Sequence, residues 1–184
     1  MSPLPNQVWE DLSVDFAELS TRDYLLVVSD DYSRYPVVEI IRSLAAQTVI
    51  PKLQHIFSQF GIPRVLKSDN GPPFNSEAFA TFATNLGFTH RRITPHWPRA
   101  NGEVEHFMWT VKKIIKIALS QQKPWRDELT SFLRNFRATP HSSTGKPRQQ
   151  PSSIASSERS YRPCTIMHET RQRSKRQTRE PKKR

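Results

Sequence analysis

The chain has 184 residues, a formal net charge of +11 and only 35% hydrophobic residues. Its length suits one domain of roughly 100–150 residues followed by a tail. Its single cysteine excludes a disulfide framework and a cysteine-based structural zinc site within this chain. There is no signal-peptide pattern and no apolar run of about 18 residues, so we expect a protein that stays inside the cell.

The positive charge is concentrated near the C-terminus. Residues 171–184 hold eight basic residues and one acid, which gives +7 of the +11. Such an excess predicts a polyanionic partner, and nucleic acid is the commonest one. The basic residues expected to contact a DNA backbone here are Arg171, Arg173, Lys175 and Arg176. The same run is typical of a nuclear address, whereas a merely solubilising tail is the alternative.

Three β-rich segments open the chain, at residues 8–19, 24–29 and 36–41, separated by short polar turns. This pattern predicts three antiparallel strands. The middle segment is almost continuously apolar, as is typical of a strand buried on both faces.

Helices and strands then alternate. Helical spacing of apolar residues predicts a helix over 45–60 that stops at Gly61, and an apolar strand follows that ends at Asp69. A second helix is predicted from residue 75 to Gly87, and a fifth strand over 88–93. The Pro- and Gly-rich segment 94–102 predicts irregular structure, and its part 95–101 predicts a mobile loop that gates the site of the acids described below.

Two further helices complete the predicted domain, over residues 103–121 and 125–137. The predicted fold class is therefore α/β, with a five-stranded mixed sheet flanked by helices. We predict one domain over residues 1–145 and a disordered basic tail over 146–184.

Three acids occupy comparable positions in these elements. Asp15 is expected to close the first apolar strand, and Asp69 to close the fourth strand before the turn formed by Asn70 and Gly71. Glu105 is expected just inside a helix, with 35 residues between Asp69 and Glu105. Each alone has an ordinary explanation, as a surface acid, a turn former or a first-turn helix acid. Together they predict an oxygen-lined site for divalent metal, which suits phosphodiester displacement.

The surroundings of these acids suit a DNA substrate. The backbone at Asn70 and Gly71 is open beside the predicted metal site, and Lys112, Lys113 and Lys116 lie further along the helix that carries Glu105.

An ordered set of short motifs is more specific than the acids alone. They lie at residues 14–16, 32–35, 60–63, 68–74, 98–105 and 135–141, within a span of about 7–145. On these motifs the chain resembles the integrase catalytic core of a gypsy-class long-terminal-repeat retrotransposon, which is related to retroviral integrases.

The resemblance implies an RNase H-like fold and a D,D-35-E triad made of Asp15, Asp69 and Glu105. It further implies Mg²⁺ or Mn²⁺ as cofactor, 3′-end processing of donor DNA, strand transfer into target DNA, contact of Asn101 with DNA, and a homodimer or higher oligomer.

The chain departs from the family pattern at several places. The family's N-terminal zinc domain is not expected here, and the segment after Gly145 differs from the usual one. His106 and Trp109 stand where the family usually has basic residues. We therefore expect a truncated transferase core of reduced activity. The alternative is a domesticated or degenerate DNA-binding remnant without integration activity. A third interpretation, RNase H itself, would use Asp30 as a fourth acid.

Overall fold

The computed structural model describes residues 5–93, 98–140 and 148, and the side chains of the helix that begins at Pro98 are described from His106 onward. The elements in chain order are β1 (Asp11–Glu18), β2 (Tyr24–Asp30), β3 (Pro36–Ile41), α1 (Ala46–Phe60), β4 (Val65–Ser68), α2 (Glu77–Leu86), β5 (Thr89–Arg92), α3 (Pro98–Ser120) and α4 (Trp125–Ala138).

The five strands form one sheet in the order β3-β2-β1-β4-β5. The first three pair antiparallel through short turns, whereas β4 joins β1 and β5 joins β4 in parallel. Parallel neighbours require a longer crossover, which α1 and α2 provide. The predicted five-stranded mixed sheet flanked by helices is confirmed.

Alternation along the strands gives the sheet two different faces. Even-numbered side chains of β1 and β2, such as Leu12 and Val28, belong to the apolar cluster that contains residues of α1 and α2. Odd-numbered ones, such as Ala17 and Val27, belong to the cluster formed with α3 and α4. Strand β2 is covered on both faces, as its apolar run predicts.

Helix ends follow the local sequence. The Ser76 side chain accepts a hydrogen bond from the backbone N–H of Phe79, which caps α2, and Gly87 ends that helix in the left-handed region with a φ of 74°.

The start of α3 corrects one prediction. The helix begins at Pro98, so residues 98–102 are helical although the Pro- and Gly-rich sequence predicts a loop and a helix starting at 103. Proline is well suited to the first helical position, because its missing N–H would have no partner there. The remainder of the predicted loop, residues 95–97, lies outside the described residues, and so does its predicted mobility.

The predicted tail and the domain boundary at residue 145 also lie outside the described residues, apart from Arg148. Its guanidinium lies 3.7 Å from the centre of the Phe136 ring and donates to the carbonyl oxygen of Phe136 at 2.9 Å. No helix within the described part of the chain combines the length and apolar character needed to cross a bilayer.

Candidate metal and nucleic-acid site

Strand pairing brings two of the three predicted acids together. Strands β1 and β4 are parallel, with Ser13 opposite Lys67, and continuing this register by two residues places Asp15 beside Asp69. Both acids then lie on the sheet face that α3 and α4 cover, because side chains alternate along a strand. A small pocket confirms the proximity; its lining is Ser13, Val14, Asp15, Lys67, Ser68, Asp69 and Ile93.

The unequal length of these strands creates the pocket. Strand β4 stops at Ser68, whereas β1 continues to Glu18. Asp15 therefore lies within β1 rather than at its end, beside the place where its parallel neighbour stops. It is partly exposed, and Asp69 is exposed. Both carboxylates border the gap that is left beside β1 where β4 ends.

A tight turn fixes the orientation of the Asp69 carboxylate. Its Oδ1 accepts a hydrogen bond from the backbone N–H of Gly71 at 3.1 Å. A Cβ added at Gly71 would lie 3.1 Å from Oδ2 of the same carboxylate, so a larger residue would press on it. Oδ1 of Asp15 accepts from the backbone N–H of Phe16 at 2.7 Å. A carboxylate can accept up to about four hydrogen bonds, so a backbone N–H bond is compatible with cation binding.

Lys67 forms the floor of this pocket. Its Nζ lies 3.1 Å from Oδ2 of Asp11 and 2.8 Å from Oδ2 of Asp31, and only 10% of its side chain is exposed. Ser13 Oγ donates to the other oxygen of Asp31 at 2.7 Å. The ammonium charge of Lys67 is thus balanced by the carboxylates of Asp11 and Asp31.

The third predicted acid is carried by α3. Phe107, Met108 and Val111 of this helix pack in the cluster that contains Ala17 of β1, so α3 lies over the sheet face that bears Asp15. Position 105 is two residues before Phe107 in the same helix. The side chain of Glu105 lies outside the described residues, and the described side chains contain no cluster of three metal-ligating residues.

The residues predicted to contact DNA fall into three groups. Asn70 and Gly71 form the turn beside Asp69. Lys112, Lys113 and Lys116 are exposed on α3. The side chain of Asn101 and all of Arg171, Arg173, Lys175 and Arg176 lie outside the described residues.

A hydrogen-bonded link behind Asp69 has no signal in the sequence. Ser68 Oγ donates to the Asp69 carbonyl oxygen at 2.8 Å and lies 2.8 Å from Nε2 of His90. The Ser68 hydroxyl has one proton, which it donates to the Asp69 carbonyl oxygen. In the second hydrogen bond His90 Nε2 is therefore assigned as the donor and Ser68 Oγ as the acceptor. The His90 ring packs edge-on against Phe79, with centroids 4.8 Å apart. His90 therefore supports the backbone of Asp69 from the opposite face of the sheet.

The environment of His90 predicts a pH effect on stability. Burial, and secondly the charge of Arg92, lower its pKa below the ordinary 6.5. His90 therefore binds a proton more readily in the unfolded chain than in the folded chain. Its contribution to the free energy of unfolding is fully present above pH 6.5 and is lost as the pH falls through the folded-state pKa. We expect this loss, measured by urea unfolding at several pH values, to be smaller in His90→Gln, which keeps a donor toward Ser68.

The matched control is His55→Gln, because His55 is exposed on α1. The control should lose stability as the wild type does when the pH is lowered. If the free energy of unfolding fell equally with pH in the wild type and in His90→Gln, the pH effect could not be assigned to His90.

Asp30 cannot act as a fourth acid of this pocket. It pairs with Leu12, toward the start of β1 and away from Asp15. It is fully buried, and its carboxylate accepts hydrogen bonds from the backbone N–H groups of Trp9 and Ser33. Burial raises its pKa although these bonds favour the charged form. Asp30 therefore organises the turn after β2, and the RNase H interpretation loses its fourth acid.

The chain matches the family described as Integrase core domain over residues 2–98. It is 36% identical over 140 residues to the uncharacterized protein K02A2.6 of Caenorhabditis elegans. The aligned residues are 76% of this chain and 11% of that protein. It is 34% identical over 144 residues to the Pol polyprotein of Feline endogenous virus ECE1, covering 74% of this chain and 14% of that protein. The chain thus spans only a small part of these curated relatives.

Solved structures show the same fold. The simian T-cell lymphotropic virus intasome in complex with PP2A regulatory subunit B56 gamma matches with a TM-score of 0.67 and 21% identity, covering 78% of this chain and 54% of that one. The HTLV-2 integrase catalytic core domain in complex with magnesium (trimeric form) matches with a TM-score of 0.63 and 21% identity, covering 78% of this chain and 95% of that one. The expected RNase H-like fold is confirmed.

Proposed function

Because this chain belongs to the integrase core domain family, we propose that it is a divalent-metal-dependent polynucleotidyl transferase core that processes DNA 3′ ends and joins them to target DNA. The observation that carries the proposal is the shared pocket of Asp15 and Asp69 beside the end of β4. A gypsy-class retrotransposon origin is part of this proposal, supported by the whole ordered set of motifs between residues 9 and 141.

The residues present suit magnesium or manganese. Asp15, Asp69 and Glu105 would hold the ions, since hard divalent cations take carboxylate oxygens and need one or two carboxylates each. Lys67 does not oppose this, because its charge is balanced by Asp11 and Asp31. When bound, such ions activate the attacking oxygen and stabilise the leaving oxygen in a phosphodiester displacement.

The chain's own residues would place the DNA. The Asp69–Gly71 turn keeps one carboxylate aimed at the pocket, and the link from His90 through Ser68 holds the Asp69 backbone. In end processing a water oxygen bonds to phosphorus and the 3′ oxygen of the adjoining nucleotide leaves. In strand transfer the new 3′ hydroxyl oxygen bonds to a target phosphorus, and a target 3′ oxygen leaves.

Charge on α3 and in the C-terminal segment would hold the DNA backbone. Lys112, Lys113 and Lys116 are exposed and can neutralise phosphates, and Arg171, Arg173, Lys175 and Arg176 add sequence-independent affinity and a nuclear address. A homodimer or higher oligomer is part of this proposal; the HTLV-2 core with the same fold was solved in a trimeric form.

A second function is favoured by one observation. Trp109, 59% exposed, occupies a position where the family pattern usually has a basic residue. A DNA-binding protein that keeps the fold without integration activity would tolerate this change.

Metal removal separates the two functions. We expect the full chain to join strands on a branched DNA substrate with Mn²⁺, and to lose this activity when the metal is chelated. Measuring DNA binding in the same samples provides the control, because backbone contacts do not require the ion. Binding without any joining above the chelated background would overturn the transferase proposal in favour of the DNA-binding remnant.

A further inference from the structure

The outer face of α3 presents an aromatic side chain to solvent. Trp109 is 59% exposed, the highest value among the large hydrophobic residues exposed in the described part of the chain. Its ring lies 6.2 Å from that of His106 with an interplanar angle of 24°, and Nζ of Lys113 lies 5.1 Å from the ring centre. These neighbours contact the indole from the preceding and following turns of the helix, and the residue as a whole remains 59% exposed.

The same face is positively charged. Residues 106–120 contain three lysines and no acid, and Lys112, Lys113 and Lys116 are all exposed. At about 100° per residue these lysines lie within roughly 60° of Trp109 around the helix axis. The buried residues Val111 and Ile115 lie on the side of the helix that faces the sheet.

An exposed indole among cations fits a nucleotide better than an apolar protein surface. A protein partner covering Trp109 would have to remove water from the neighbouring lysines, which is costly unless acids replace the water. An unpaired nucleotide supplies both complements, because its base stacks on an aromatic ring and its phosphates pair with lysines. A base in the interior of a duplex has both faces covered, and a base in the terminal pair is held in place by its pairing, whereas an unpaired base is free to turn its face to the indole.

We propose that Trp109 is a stacking platform for an unpaired base at the end of the donor DNA. The inference rests on the proposed function, because removing nucleotides from a 3′ end leaves the opposite 5′ strand with unpaired nucleotides. Position 109 is one helical turn, about 6 Å, beyond Glu105, so the platform is one turn from a proposed catalytic acid. Trp109 thus discriminates a processed end from a blunt one.

The test measures binding to three labelled duplexes that share one sequence: a blunt duplex, one with a short 5′ overhang, and one whose overhang is abasic. The full chain is used with metal chelated, so that binding is measured independently of catalysis. Trp109→Ala should bind the base-bearing overhang about tenfold more weakly than the wild type, in the range that loss of one stacked base produces. Its affinity for the blunt and abasic duplexes should be unchanged.

Two variants keep the result specific. Trp109→Phe retains a ring and should recover most of the affinity for the overhang. Ile117→Ala removes an apolar side chain that is 44% exposed on the same helix and should have no effect. Equal loss on all three duplexes, or no loss on the overhang, would overturn the inference. A changed sedimentation coefficient with unchanged DNA binding would do so too, and would identify Trp109 as a contact between copies of the chain.

The outcome is separable from that of the proposed function. A chain that joins strands but binds every duplex equally well with Trp109→Ala loses only this inference. A chain that joins no strands but recognises the overhang through Trp109 loses only the transferase proposal.

Discussion

Asp69→Asn is expected to lower metal-dependent strand joining by about 10³-fold, the effect of removing several kcal/mol of charge stabilisation from the reacting phosphate. The substitution preserves the size of the side chain and the oxygen that accepts the Gly71 N–H. It removes the negative charge that a divalent ion requires. The rate of joining on a branched substrate measures the loss, and the thermal midpoint should stay close to that of the wild type because Asp69 is exposed.

The matched control for this variant is Glu77→Gln. Glu77 is an exposed acid in the first turn of α2, outside the pocket, and its replacement removes one negative charge of the same kind. Strand joining by this variant should equal that of the wild type. If Asp69→Asn joined strands within about twofold of the wild-type rate, Asp69 would not be a metal ligand and the proposed site would be wrong.

Lys67→Met is expected to lower the free energy of unfolding by about 3–5 kcal/mol, the usual cost of removing one partner from a buried ion pair. The side chains of Lys67, Asp11 and Asp31 are 10%, 8% and 13% exposed, so water cannot replace the lost ammonium. Asp11 would keep its bond to Arg64 at 2.7 Å, whereas Asp31 would keep the hydrogen bond that it accepts from the Ser13 hydroxyl. Chemical unfolding of the wild type and the variant measures the difference.

Combining Lys67→Met with Asp31→Asn is the informative control. The double variant should recover part of the lost stability, because the carboxylate left without a cation is then neutral. If Lys67→Met lowered the free energy of unfolding by less than about 1 kcal/mol, the ion pairs of Lys67 would contribute no more than surface ion pairs do. They would then not be what holds the floor of the pocket in place.

The sheet and the meeting of two acids were predictable because both depend on short-range patterns. Apolar runs and turn residues locate the strands, and the continuous run in β2 indicates burial on both faces. An acid that follows a parallel strand lies near the switch in strand order, which is where Asp69 is found beside Asp15.

The rest of the site depends on contacts between distant residues. Lys67 meets Asp31 across 36 positions, and His90 meets Ser68 across 22, so no local spacing indicates either pair. The start of α3 was misplaced because proline and glycine usually indicate a loop, whereas proline also suits the first helical turn. The end of β4 was predicted to within one residue, whereas the continuation of β1 past Asp15 to Glu18 was not predicted.

The two faces of β1 carry different kinds of residue. One face packs in the core that stabilises the fold, and the other carries an acid of the proposed site. Leu12 and Val14 belong to the aromatic-rich core, whereas Asp15 borders the pocket on the reverse side. A copy of this gene that accumulates changes at positions 15 and 69 would still encode a folded protein with basic surfaces. Under the proposed function, such a copy would lose strand joining and could still bind DNA through those surfaces.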